Sequence, residues 1–203
     1  MTKYKVNFKN HSSNYGKACI YQTLPDIDDP NIMSLAWFSK AAHPNTNVQF
    51  DWNIDYSYVW DETGVLLPGV NFDASQVLPA DLVNKNQVTL KYEKGAFKFD
   101  NLGKGNRDGT LYITHDSSLP LDIASVGIGM SGAGTFVVQA QPNLNLNFTP
   151  HPTYWIAFGN YTSGQVLDIS EITNQQQLDF PPNVYELEVE LLMDNTWSVK
   201  SVI

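Results

Sequence analysis

The stretch Val48-Gln49-Phe50-Asp51-Trp52-Asn53-Ile54-Asp55-Tyr56-Ser57-Tyr58-Val59-Trp60 carries Val, Phe, Trp, Ile, Tyr, Tyr and Trp at its seven even positions, and polar residues at five of its six odd ones. Side chains of a β-strand alternate between faces, so a period of two predicts one long strand with an aromatic face turned inward and an amide and carboxylate face turned to water. A helix would spread the same aromatics around its circumference.

The alternation recurs at Asn143-Leu144-Asn145-Leu146-Asn147-Phe148 and at Tyr185-Glu186-Leu187-Glu188-Val189-Glu190-Leu191. Shorter β-rich runs bounded by Gly, Pro, Asn or Asp bring the expected total to about twelve strands. That pattern predicts an all-β fold, an antiparallel β-sandwich of jelly-roll or Greek-key type. Ala74–Val83 and Asp168–Gln177 are the two places where a short helix is expected. Neither is long enough for the crossovers of a parallel sheet. The loop-like run from Asp100 to Gly109 reads as a connection within one domain spanning residues 1–203, because composition does not change across it.

The chain has 203 residues, with 12 Lys+Arg against 21 Asp+Glu and a net charge of −9. Phosphate contacts need a basic face, so nucleic acid is not an expected partner, and an anionic membrane surface is disfavoured on the same ground. Charged residues are 16 % of the chain, against roughly 25 % in an ordinary domain. Amides stand in their place, 19 Asn and 10 Gln. A surface so composed hydrogen-bonds widely and repels its neighbours weakly, which favours a polar ligand or copies of the chain itself as partner. No run reaches the ~18 apolar residues of a membrane helix. The start, Met1-Thr2-Lys3-Tyr4-Lys5-Val6-Asn7-Phe8, has no apolar signal region, so the expected location is cytoplasmic, with non-Sec release left open. Cys19 is the sole cysteine, which excludes an intramolecular disulfide and makes a small buried residue the expectation.

Gly127-Ile128-Gly129-Met130-Ser131-Gly132 matches the dinucleotide fingerprint letter for letter, but the residues that follow, Ala133 to Gln139, read as a strand where that fingerprint needs a helix. The glycines are expected to serve a bulge or close sheet packing. Ser131 and His151 form no recognisable nucleophile elbow, and His11, His43, His115 and His151 lack metal-ligand spacing. With no catalytic constellation in view, the expected protein is not an enzyme.

Two kinds of binding residue remain. Asp26, Asp28 and Asp29 lie in a loop between Pro25 and Pro30, an oxygen-rich set suited to Ca²⁺, although without the twelve-residue loop pattern of a dedicated site. Aromatic residues beside amides or acids suit a sugar, since a ring covers the C–H face and the polar groups bond hydroxyls. Trp60-Asp61, Tyr154-Trp155 with Asn160-Tyr161, and Asp194-Asn195 with Trp197 are the candidates. The expected function is therefore a lectin-like protein binding glycans; a self-assembling or inclusion-forming protein and a membrane-active β toxin are the alternatives.

Ser34-Leu35-Ala36-Trp37-Phe38-Ser39-Lys40-Ala41, Ile54 to Trp60, Val126 to Gly132, and Phe148-Thr149-Pro150-His151-Pro152-Thr153-Tyr154-Trp155-Ile156 together resemble the RhiA-type proteins. That family is named for a rhizosphere-expressed, quorum-sensing-regulated protein of a root-nodule bacterium. The likeness runs from the Cys19-Ile20-Tyr21-Gln22 strand to Trp197. It implies an abundant, soluble microbial protein and supplies no catalytic motif to carry over. A more distant similarity, in size and β content, is to the inclusion-body proteins of the PixA and AidA group, and it implies self-association.

Overall fold

The computed structural model describes residues 3–24 and 31–202 and is built from four β-sheets. Sheet I has the order β17 (Trp197–Val202), β16 (Glu186–Leu191), β1 (Lys3–Asn10), β5 (Asn47–Asn53). Sheet II is β15 (Gln175–Leu178), β14 (Thr153–Gly159), β2 (Gly16–Thr23), β4 (Phe38–Ala42). Sheet III is β3 (Met33–Ser34), β12 (Ala133–Gln139), β11 (Ser125–Met130), β6 (Tyr56–Asp61), β7 (Gln76–Pro79). Sheet IV is β13 (Asn145–Phe148), β10 (Leu111–His115), β8 (Gln87–Glu93), β9 (Ala96–Gly103).

The all-β expectation holds, with seventeen strands among the described residues where about twelve were expected. Sheets I and II enclose one core, in which Val6, Phe8, Phe50 and Trp52 meet Ile20, Ile156 and Phe158. Sheets III and IV enclose a second, in which Tyr58, Trp60 and Phe136 meet Leu90, Leu111 and Phe148. Trp37 ties the two together: it packs in the first core and its indole N–H donates to Met130 O on β11 at 2.9 Å.

The segment 48–60 is not one strand. It breaks at Ile54 and Asp55, and its halves, β5 and β6, belong to different sheets. Asp55 fixes the break, its main-chain and side-chain oxygens accepting from Ser131 N at 3.0 and 3.1 Å. The even positions still point inward on both halves, except Ile54, which is exposed at the corner. Ser57 and Val59 are buried as well, because Val59 packs with Leu35, Phe72 and Val166 on the outer face of sheet III.

Two neighbouring pairs are parallel, β1 with β16 and β8 with β10. Among the described residues no α-helix crosses between them: one connection runs through β9 and the other through most of the chain, so other strands do the work of a crossover helix. The helix expected over 74–83 is replaced by β7. Over 168–177 the chain makes a single 3₁₀ turn, Ile169–Glu171, capped by the Asp168 side chain accepting from Ser170 N, and then enters β15. No helix among the described residues is long and apolar enough to cross a membrane.

Candidate ligand-binding site

The sequence candidates fall in three different surroundings. Trp60 is 8 % exposed, packs against Phe97 and donates its indole N–H to Gln76 Oε1 at 2.8 Å. Asp61 accepts from Ser75 Oγ at 2.9 Å and from Thr63 Oγ1. That pair therefore belongs to a core and to the loop beside it. Asp194 and Asn195 form the turn between β16 and β17: Asp194 Oδ1 accepts from Thr196 N and Oγ1 at 3.1 and 2.6 Å. Those bonds hold its carboxyl below the usual carboxylate range. Asn195 takes a left-handed φ of 62°, while Trp197 packs near Phe8 and donates to Asn174 Oδ1 at 2.9 Å.

Trp155 and Tyr161 do come together. Both are half-buried on the outer face of sheet II, around Cys19, Tyr21, Leu167 and Ile172, and Asn160 beside them is exposed. Asp26, Asp28 and Asp29 lie outside the described residues. Among the described residues, no group of three or more His, Cys, Asp or Glu is arranged to hold a metal ion.

One concave site joins aromatic and polar groups. Alternation along β14 sends Tyr154 to the inner face of sheet II and Trp155 to the outer. Their partners on β15 are Leu178 and Gln177. At the open end of the first sandwich, Tyr4, Tyr154 and Phe180 line a cleft of about 240 Å³ whose polar members are Thr153, Gln177 and Asp179. The rings fix one another: Tyr4 meets Phe180 edge-on at 4.9 Å, and Tyr154 meets Phe180 edge-on at 6.1 Å. Gln177 Nε2 donates to Asp179 Oδ1 at 2.6 Å, so a carboxamide and a carboxylate stand as one unit on the lip. Burial pushes the Tyr154 hydroxyl pKa upward. It stays protonated at neutral pH, able to donate as well as accept.

Beneath this cleft the Trp52 indole bonds the Tyr154 hydroxyl, and Gln22 Nε2 is a buried donor without a partner among the described residues. Gln22 is the register partner of Tyr154 on β2, and Trp52 packs on Tyr4, Tyr154 and Phe180. On the outer side of the same strands, Trp155 stacks with Tyr21 at 6.3 Å and donates to Thr23 Oγ1 at 3.0 Å. Of the cleft residues, the sequence pointed only to Tyr154. Tyr4, Gln177, Asp179 and Phe180 are distant in the chain and carry no shared motif.

A broader groove of about 440 Å³ crosses the outer face of sheet I between Asn7, Lys9, Asn47, Gln49, Glu188 and Glu190. Its only ring, Phe8, is buried on the far side of the sheet. Ion pairs occupy one end of that face, Lys5 with Glu186 at 2.8 Å and Lys3 with Asp51.

The nucleophiles and bases stand apart from one another. Cys19 is fully buried, and burial pushes its thiol up to about 12. His115 lies in the second sandwich with Nδ1 2.8 Å from Gln141 O. Ser131 sits at φ 52° in the β11–β12 turn, its Oγ accepting from Asn53 N at 3.3 Å. The glycine fingerprint is this hairpin, with a register shift at Ile128/Gly129, so the glycines serve sheet geometry as expected. At Gly127 a Cβ would come within 1.9 Å of Phe136 O.

The family model for RhiA matches residues 1–202. The chain is 39 % identical over 201 residues to Protein RhiA of Rhizobium leguminosarum bv. viciae, a match that covers 98 % of this chain and 86 % of that relative. No solved structure matches the chain.

Proposed function

This chain belongs to the RhiA family, and from its own side chains we propose that it is a non-enzymatic carbohydrate-binding protein whose site is the cleft between Tyr4, Tyr154 and Phe180. The observation that carries this reading is the Gln177–Asp179 pair on the lip of a cleft walled by three aromatic rings. A pyranose presents an apolar C–H face and a ring of hydroxyls. The phenol and phenyl faces cover the first, and the carboxamide, the carboxylate and Thr153 meet the second with both donors and acceptors. The Tyr154 hydroxyl adds a donor at the wall.

The test is a labelled-protein glycan panel run with calcium and with chelator, followed by titration calorimetry on the best hit. Tyr154→Ala and Asp179→Asn are the variants. Saturable binding that falls at least about tenfold in each variant, equivalent to ~1.4 kcal/mol, is the expected result. A silent panel, or binding that neither variant weakens, would overturn the assignment. Binding lost only in chelator would move the site to a calcium-dependent loop.

A further inference from the structure

We propose that a second copy of this chain adds to sheet I along the outer edge of β17, pairing β17 with β17 antiparallel about a two-fold axis at Val199. A sheet edge presents unpaired N–H and C=O groups, and proteins guard such edges with bulges, prolines, short strands or lysines. The other edges here are guarded. β3 has two residues, and β13 and β15 have four each. β7 ends in Pro79. β9 pairs β8 across a register shift and carries Asn101 at φ 54°. On β5, Lys40 Nζ donates to Gln49 O at 2.6 Å; on β4, Ser39 N donates to Ser163 Oγ at 2.9 Å. β17 runs for six residues as Trp-Ser-Val-Lys-Ser-Val, with no proline and one lysine, and Lys200, Ser201 and Val202 are exposed.

The turn before it sets which groups are free. Leu192 N donates to Thr196 O, so alternation places Ser198, Lys200 and Val202 in the pairs that exchange bonds with β16. Trp197, Val199 and Ser201 then turn their N–H and C=O groups outward. A two-fold axis at Val199 sets Val199 opposite Val199 of the second copy and Trp197 opposite its Ser201, so every outward group finds a complement. Charge agrees with this register. On the polar face, Lys200 meets Ser198 of the second copy, never another lysine, and Ser198 neighbours Glu190 on β16. On the inner face, the Trp197 and Val199 side chains continue the apolar surface of the first core. Both free β17 edges are used up, so the assembly closes at two chains.

Sedimentation velocity and light scattering on the full chain, over a wide concentration range, test this. The expected result is twice the single-chain mass. Val199→Pro removes an outward N–H that makes no bond among the described residues, and Ser198→Lys sets an ammonium opposite Lys200 of the second copy. Each should move the monomer–dimer midpoint at least about tenfold higher in concentration with the far-UV spectrum unchanged. If the proline unfolds the hairpin, the surface lysine variant decides alone. A strict monomer, a particle larger than two chains, or a dimer indifferent to Ser198→Lys would overturn the proposal.

Discussion

Tyr4 and Trp52 stand directly opposite one another on β1 and β5, and their rings stack with centroids 5.9 Å apart and planes within 10°. One ring belongs to the cleft wall and the other to the core, so the cleft rests on the packing that stabilises the first sandwich.

Replacing the lower ring should therefore cost stability and binding together. Trp52→Ala is expected to lower unfolding free energy by about 3–5 kcal/mol, read from urea denaturation. Tyr4→Phe keeps the stacked ring and should change stability by less than ~1.5 kcal/mol. A Trp52→Ala protein as stable as the parent would mean that the ring is not a core member.

Gly127 tests the close approach within sheet III. A methyl group there meets Phe136 O at 1.9 Å, a backbone atom that cannot swing away. Gly127→Ala should cost about 3 kcal/mol or more. At Gly103 the nearest atom is 4.0 Å off, and Gly103→Ala should stay within about 0.5 kcal/mol. Thermal unfolding of the pair separates steric overlap from a general intolerance of glycine replacement.

His115 makes stability depend on pH. Burial lowers its pKa below the ordinary 6.5, and the Gln141 carbonyl only partly offsets this. The unfolded chain therefore takes up a proton that the folded chain refuses. The His115 contribution is fully present above pH 6.5 and declines as pH falls from there toward the folded pKa. Urea midpoints at pH 7.5 and 5.5 should differ more for the parent than for His115→Gln, and equal differences would rule out the neutral buried imidazole.

Cys19 should be silent in the folded protein. With its thiol pushed up to about 12 and its side chain buried, almost no accessible thiolate exists near neutral pH. A thiol reagent should label it at the rate of unfolding and rapidly in denaturant. Fast labelling under native conditions would place Cys19 at the surface.

Period two located the strands and their inward faces, including Phe50, Trp52, Tyr58 and Trp60. It could not reveal the corner at Ile54, because side-chain parity carries across a bend between sheets. Nor could it show that Val59 is buried, since that depends on chain folding back from residues 70–72 and 166. The amide surplus was the hardest feature to read. Much of it is structural: five of the eight non-glycine residues with positive φ among the described residues are Asn, namely Asn45, Asn101, Asn143, Asn183 and Asn195. Short amide side chains tolerate the left-handed region that tight turns demand. Asn10 and Asn86 are buried clamps: Asn10 donates to the Asn14 and Ala42 carbonyls of separate segments, and Asn86 to the Arg107 and Thr110 carbonyls of the loop before β10. The cleft gathers residues 4, 154 and 177–180, a convergence that depends on sheet pairing and leaves no local word.

The pairing of β1 with β16 also orders events during synthesis. Lys5 lies beside Glu186 and Asn10 beside Leu191, so β1 leaves the ribosome long before the strand that completes its sheet. The strands of the second sandwich, β6 to β13 together with the short β3, are all made in that interval, and they can close around their own core first. Until β16 arrives, the apolar face carrying Val6 and Phe8 has β5 on one side and a bare edge on the other. Contacts of such long sequence separation make folding slow, on the millisecond-to-second scale. The growing chain is most open to mispairing through this unfinished amino-terminal sheet.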